Sequence, residues 1–116
     1  MEESEYSPAP GDDKLKRSVV HMDLEASDII VMESFPVQVN VILRGSLPDP
    51  CHELRVVPSE PDADKNINLE VYSLVDASQS CITVIEPFEA TISLGSFSQG
   101  TYTILVNGEV LGEFDA

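Results

Sequence analysis

The run Phe35-Pro36-Val37-Gln38-Val39-Asn40-Val41-Ile42-Leu43-Arg44 leaves this chain little freedom in what it can become. Phe35, Val37, Val39, Val41 and Leu43 recur at every second position, with Gln38, Asn40 and Arg44 on the opposite side. An extended strand gathers those five apolar side chains on one face, whereas a helix would scatter them around the cylinder. The alternation predicts a central strand with one buried face. Pro36 has no amide to give a ladder, so it must stand at the first, unpaired end.

The flanking sequence repeats the theme. Ser18 to Leu24 reads as a first edge strand with Val20, Met22 and Leu24 on one face, and Ile29 to Met32 as its second half after a sheet switch at the acidic break Glu25–Asp28. Leu54–Val57, Asn66–Val75, Ile82–Ile85 and Phe88–Leu94 follow, separated by Gly, Pro, Asn, Asp and Ser. With the C-terminal hairpin this makes about seven strands and no segment of helical period, the pattern of an all-β, two-sheet antiparallel β-sandwich. Residues 1–16, which include the run MEESEYSPAPGDDK, mix acids with Ser, Pro and Gly and offer nothing to offset ordering entropy. They are predicted to form a disordered acidic tail or linker, leaving 17–116 as the folded domain.

The stretch Leu94-Gly95, then Gly100-Thr101-Tyr102-Thr103-Ile104-Leu105-Val106-Asn107-Gly108, resembles the closing strands of bacterial immunoglobulin-like domains of secreted and surface proteins. The spacing around Tyr102 is that of a tyrosine corner, in which the ring enters the core and the hydroxyl returns to the backbone just upstream. The resemblance implies an immunoglobulin-like sandwich and, for function, a binding or accessory domain. One position departs: the residue two beyond the corner Tyr is Ile104, not the cysteine that joins the sheets in antibody-type domains. The final hairpin has two readings. A two-residue Asn107-Gly108 loop would turn Val110 and Phe114 outward beside Leu105 as an apolar strip. A three-residue loop with Gly108 as a left-handed bulge places Tyr102, Ile104, Val110 and Phe114 on one core face, with Gly112 making room for the Tyr ring. Because a one-residue slip flips the strand, burial of Val110 and Phe114 should decide between the two, and the bulged turn is the expectation.

Composition narrows function more than it names it. Asp and Glu number 21 against 6 Lys and Arg, a net charge of −15. That disfavours nucleic acid, which needs basic residues against phosphates, and equally an anionic membrane surface. No apolar run reaches membrane-spanning length, so no membrane insertion of this segment is expected. The start, Met1-Glu2-Glu3-Ser4, is polar, and an export signal or lipid anchor removed from a longer precursor is expected. Cys51 and Cys81 are too few for a structural zinc site by themselves and lack redox spacing. They suggest one disulfide, with two reduced, buried thiols as the alternative, and an extracellular or cell-envelope location.

Candidate site residues are sparse. His21 and His52 read as surface residues, and no nucleophile–base or acid–base constellation points to an enzyme. Glu60, Asp62 and Asp64 form a weak Ca²⁺ candidate, in need of further oxygens from a neighbouring loop. No cofactor is implied. Pro48, Asp49 and Pro50, with Pro58, Glu60 and Pro61, make two stiff exposed loops, and a stiff loop loses little entropy on binding. The sequence thus predicts a non-enzymatic, monomeric binding or accessory module for a protein or glycan. A protease inhibitor working through the proline-bearing loops is the alternative.

Overall fold

The computed structural model of the chain describes residues 5–116 and is a two-sheet β-sandwich. Nine strands build it: β1 (Lys16–Ser18), β2 (His21–Met22), β3 (Asp28–Met32), β4 (Val37–Leu47), β5 (Glu53–Pro58), β6 (Asn66–Val75), β7 (Glu86–Phe97), β8 (Thr101–Val106) and β9 (Glu109–Asp115).

The period-two run becomes β4, the spine of the smaller sheet. It pairs with β7 along its whole length on one side, and with β3 and then β2 on the other. Its spine partner in the larger sheet is β6, which pairs with β5 on one side. Along β6's other side lie β8 over Asn66–Leu69 and β1 over Ser73–Val75. The β6–β8 pairing is parallel, an exception in an otherwise antiparallel fold. Val39, Val41 and Leu43 of β4 are fully buried together with Ile67 and Leu69 of β6 and Ile104 of β8. Phe35 is not part of this core: it is wholly exposed, one residue ahead of Pro36 and outside the strand.

Two bulges reset the alternation. On β7 the register slips between Val39 and Asn40 of the partner, and Gly95, at φ 88°, takes the left-handed conformation there. The slip turns Phe97 inward instead of Ser96. On β9 the slip falls beside Leu111: Leu105 faces Val110, but Ile104 faces Gly112 and Tyr102 faces Phe114. The expected three-residue turn is therefore corrected. Asn107 (φ 50°) and Gly108 (φ 86°) form a two-residue loop with Val106 opposite Glu109. The extra residue sits further along the strand. Tyr102, Ile104 and Phe114 are buried, while Val110 lies 61% exposed and leaves the proposed core set. Gly112 makes room for Ile29 of β3, whose Cδ1 lies 3.0 Å from where a Cβ would stand, and not for the Tyr ring.

The turn does a second task. The Asn107 side chain lies against β6 as a strand would: its Oδ1 accepts from the Val71 amide at 2.7 Å, and its Nδ2 donates to the Val71 carbonyl at 3.0 Å. It thereby fills the gap in the sheet between β8 and β1.

The N-terminal segment also differs from expectation. Residues 1–4 lie outside the described residues, but from Glu5 onward the expected linker is seated on the domain. The Val56 amide donates to the Tyr6 carbonyl at 2.9 Å, and Arg55 forks onto the Asp12 carboxylate at 3.1 and 3.2 Å. That guanidinium holds the Asp12 carboxyl below the usual carboxylate range. The ion pair supplies what composition alone did not offer. The crossing between sheets falls at Val19-Val20, between β1 and β2, ahead of the acidic break. The break itself is a single 3-10 turn, Leu24–Ala26, with the Asp23 carboxylate accepting from the Ala26 amide.

Candidate functional site

The two proline-bearing loops read as candidate binding loops lie at opposite ends of the sandwich. Pro48-Asp49-Pro50 precedes β5 and Pro58-Ser59-Glu60-Pro61 ends it, so six residues of strand hold them about 20 Å apart. No single partner site of ordinary loop dimensions uses both. At the second end, Glu60, Asp62 and Asp64 do not converge. Asp62 spends its carboxylate on its own loop, with Oδ1 accepting from the amides of Asp64 and Asn66 at 2.9 Å each. The Asn66 amide bond is the main cause that depresses the Asp62 carboxyl below its ordinary value. An Asx-type turn accounts for this acidic loop without a cation.

The first end is where chemistry-bearing residues meet. Cys51 and Cys81 form a disulfide with Cα atoms 6.1 Å apart, joining the turn before β5 to the loop between β6 and β7. Asp49 Oδ1 accepts from the Cys51 amide at 2.9 Å and from His52 Nδ1 at 2.9 Å. The His52 bond is the chief reason the Asp49 carboxyl sits below the carboxylate range. His52 is thus corrected from a surface residue: its side chain is only 9% exposed, and it is turned back onto Asp49. Among the described residues, Asp49, Cys51 and Cys81 are the only three or more His, Cys, Asp or Glu side chains whose ligand atoms lie within 4.8 Å of one another.

The loop that carries Cys81 is not the strand its β-branched sequence predicts. Residues 81–85 have no ladder partner, and the Val84 amide closes a tight turn on the Ile82 carbonyl at 3.1 Å. The long edge of β4 is already taken by β7, whose pairing begins only at Glu86 opposite Leu47. Ile82, Val84 and Ile85 therefore stay 70%, 49% and 70% exposed, large apolar side chains on a loop pinned at Cys81. Val19, 84% exposed at the sheet crossing, adds to them: it and Ile85 line one 410 Å³ cleft with His21, Leu47 and Pro48. Sequence reasoning missed this surface, because four apolar residues in five read most simply as buried strand. The signal against that reading was the break on both sides, Ser80-Cys81 before and Glu86-Pro87 after.

A model of the ORF11 beta-sandwich domain family matches residues 41–116, which contain both cysteines, the stapled loops and the aromatic corner. A Herpetosiphon aurantiacus protein, described as an uncharacterized 10.2 kDa protein in the HgiCIIM 5′ region, is 36% identical over 87 residues, 74% of this chain and 92% of that protein. No solved structure matches the chain.

Proposed function

We propose, for a chain that belongs to the ORF11 beta-sandwich domain family, a non-enzymatic binding role exercised through the disulfide-stapled end, outside the cytoplasm or at the cell envelope. The observation that carries the reading is the exposure of Ile82, Val84 and Ile85 on a loop that a covalent bond holds in place. Contiguous exposed apolar side chains mark interaction surfaces, and a pinned loop has little ordering entropy left to lose on binding. The partner class this favours is a protein with an apolar recess. The finer assignment to the immunoglobulin-like domains of bacterial secreted and surface proteins belongs to the same proposal. Its support is the tyrosine corner, in which Tyr102 Oη donates to the Ser98 carbonyl at 3.0 Å. The parallel β6–β8 pairing stands apart from an all-antiparallel arrangement.

The test is a photo-crosslinking residue placed at Ile85, at Thr91 on the outer sheet face, or at Glu113 on β9, in native host cells. An adduct that forms from position 85 alone, and disappears with Ile82→Ser, supports the reading. Equal adducts from all three positions, or none from position 85, overturn it. Protease inhibition is the second reading, and the separation of the proline loops confines it to Pro48-Asp49-Pro50, the loop the disulfide pins. It stands if a panel of serine and cysteine proteases reveals inhibition that Asp49→Ala with Pro50→Ala removes.

A further inference from the structure

We infer that Asp49, Cys51 and Cys81 form a metal site that opens when the disulfide is reduced, taking one thiolate-seeking divalent cation of the Zn²⁺ class. Two cysteines alone hold zinc poorly, but the fold adds a third donor. The Asp49 carboxylate lies within 4.8 Å of both sulfurs, and the Cα atoms of the cysteines are 6.1 Å apart. A tetrahedral ion with Zn–S of about 2.3 Å and Zn–O of about 2.1 Å spaces its ligands slightly under 4 Å apart. Small side-chain rotations from the observed positions reach that spacing. With three protein donors, water takes the fourth position.

The carboxylate is already oriented. Asp49 Oδ1 takes hydrogen bonds from the Cys51 amide and His52 Nδ1, and Oδ2 takes part in neither. Because an ionised carboxylate only accepts, Nδ1 carries the proton, and His52 acts as a positioning residue that fixes the donor without touching the ion. Cys81 is exposed and Cys51 half-buried, so a reductant reaches the disulfide from the Cys81 side. The reaction balances with a thiol reductant. Its thiolate attacks the Cys81 sulfur and Cys51 leaves as thiolate; a second reductant thiol then frees Cys81. Two reductant thiols become one disulfide, and the protein gains two thiols. Binding the dication displaces both thiol protons to solvent. Two thiolates and a carboxylate around a dication leave a single net negative charge, the same as the carboxylate beside two neutral thiols, so binding adds no charge to a chain of net −15. The metal would then hold the loop before β5 to the loop after β6, as the disulfide does. This inference stands independently of any partner for the apolar loop.

The experiment uses the full chain, reduced with a phosphine under anaerobic conditions and titrated with Co²⁺ and then Zn²⁺. Expected is one equivalent of Co²⁺ with thiolate-to-cobalt charge-transfer bands, bleached by Zn²⁺ and absent from the oxidised protein. Asp49→Ala should weaken Co²⁺ binding at least tenfold, and Cys81→Ser, checked for native circular dichroism, should remove most of the charge-transfer intensity. His52→Gln should lower affinity about tenfold at unchanged band positions; a purely structural histidine would leave the affinity alone. The site is refuted if reduced wild type takes up no stoichiometric Co²⁺, or if Asp49→Ala binds as tightly as wild type.

Discussion

At one end of the sandwich, Phe97, Tyr102 and Phe114 lie with ring centroids 5.1–5.2 Å apart, and the Tyr hydroxyl is tied to the Ser98 carbonyl. At the other end, residues 76–85 run without a ladder, their large apolar side chains mostly in solvent and Cys81 joined to Cys51. The first end is organised by burial: three rings reach one another because two bulges rotate Phe97 and Phe114 into phase with Tyr102. The second is organised by a bond. An end that packs its apolar residues needs no staple, though Phe35 beside it remains in solvent. An end held by a staple can leave them outside. The division separates an end held by packing from an end held by a covalent bond.

The contrast can be broken most directly by emptying the packed end. Phe114→Ala should cost about 3–5 kcal/mol, measured by denaturant unfolding, and should loosen Tyr102 and Phe97 with it. A loss under 1 kcal/mol would mean the aromatic trio is no keystone. At the other end, Cys51→Ser with Cys81→Ser, in metal-free buffer, should cost about 3–4 kcal/mol in the chain-entropy model. Its signature should be different, with hydrogen exchange rising at residues 76–86 while β4 and β6 keep their protection ranking. Tyr102→Phe removes only the hydroxyl's bonds to the Ser98 carbonyl and Oγ and should cost about 1 kcal/mol, sharpening the claim that ring packing outweighs the corner hydrogen bonds. The smallest effect is acid titration. Asp12 and Asp49 have folded values below the ordinary one, through the Arg55 and His52 hydrogen bonds respectively. Their stabilisation is complete above the ordinary carboxylate pKa and drains as pH falls through the depressed folded values. Amide exchange around Tyr6–Asp12 and Asp49–His52 should therefore rise below about pH 4, before the aromatic end responds.

How much of this was legible follows from where alternation survives. β4 and β6 are long, unbroken and buried on one face, so their apolar residues announce strand and side together. Phe97 and Phe114 could not be phased from sequence, because each lies beyond a bulge and every residue past a bulge changes face. Gly95 was a usable cue for the first, and Gly112, next to Leu111, a weaker one for the second, since no positive φ marks it. The apolar loop misled for another reason. Ile82–Ile85 has strand propensity, but propensity yields to the availability of a partner edge, and β4 has none left. The disulfide was readable as a pair of residues; the third side chain beside it was not. Asp49 is two positions before Cys51, and only the turn that folds it back over the Cys51 amide brings its carboxylate to the sulfurs.

Asn107 restricts how this domain can be re-engineered. In most hairpins an Asn-Gly loop is a replaceable part, and an Asp-Gly or Gly-Gly loop of the same handedness serves in its place. Here the loop residue's amide is also read by the neighbouring strand, which needs one acceptor and one donor from it at Val71. Aspartate would supply the acceptor and lose the donor; glycine would supply neither. Loop grafts into this hairpin should therefore keep the asparagine and vary only what surrounds it, and a library that randomises the turn should return that one residue.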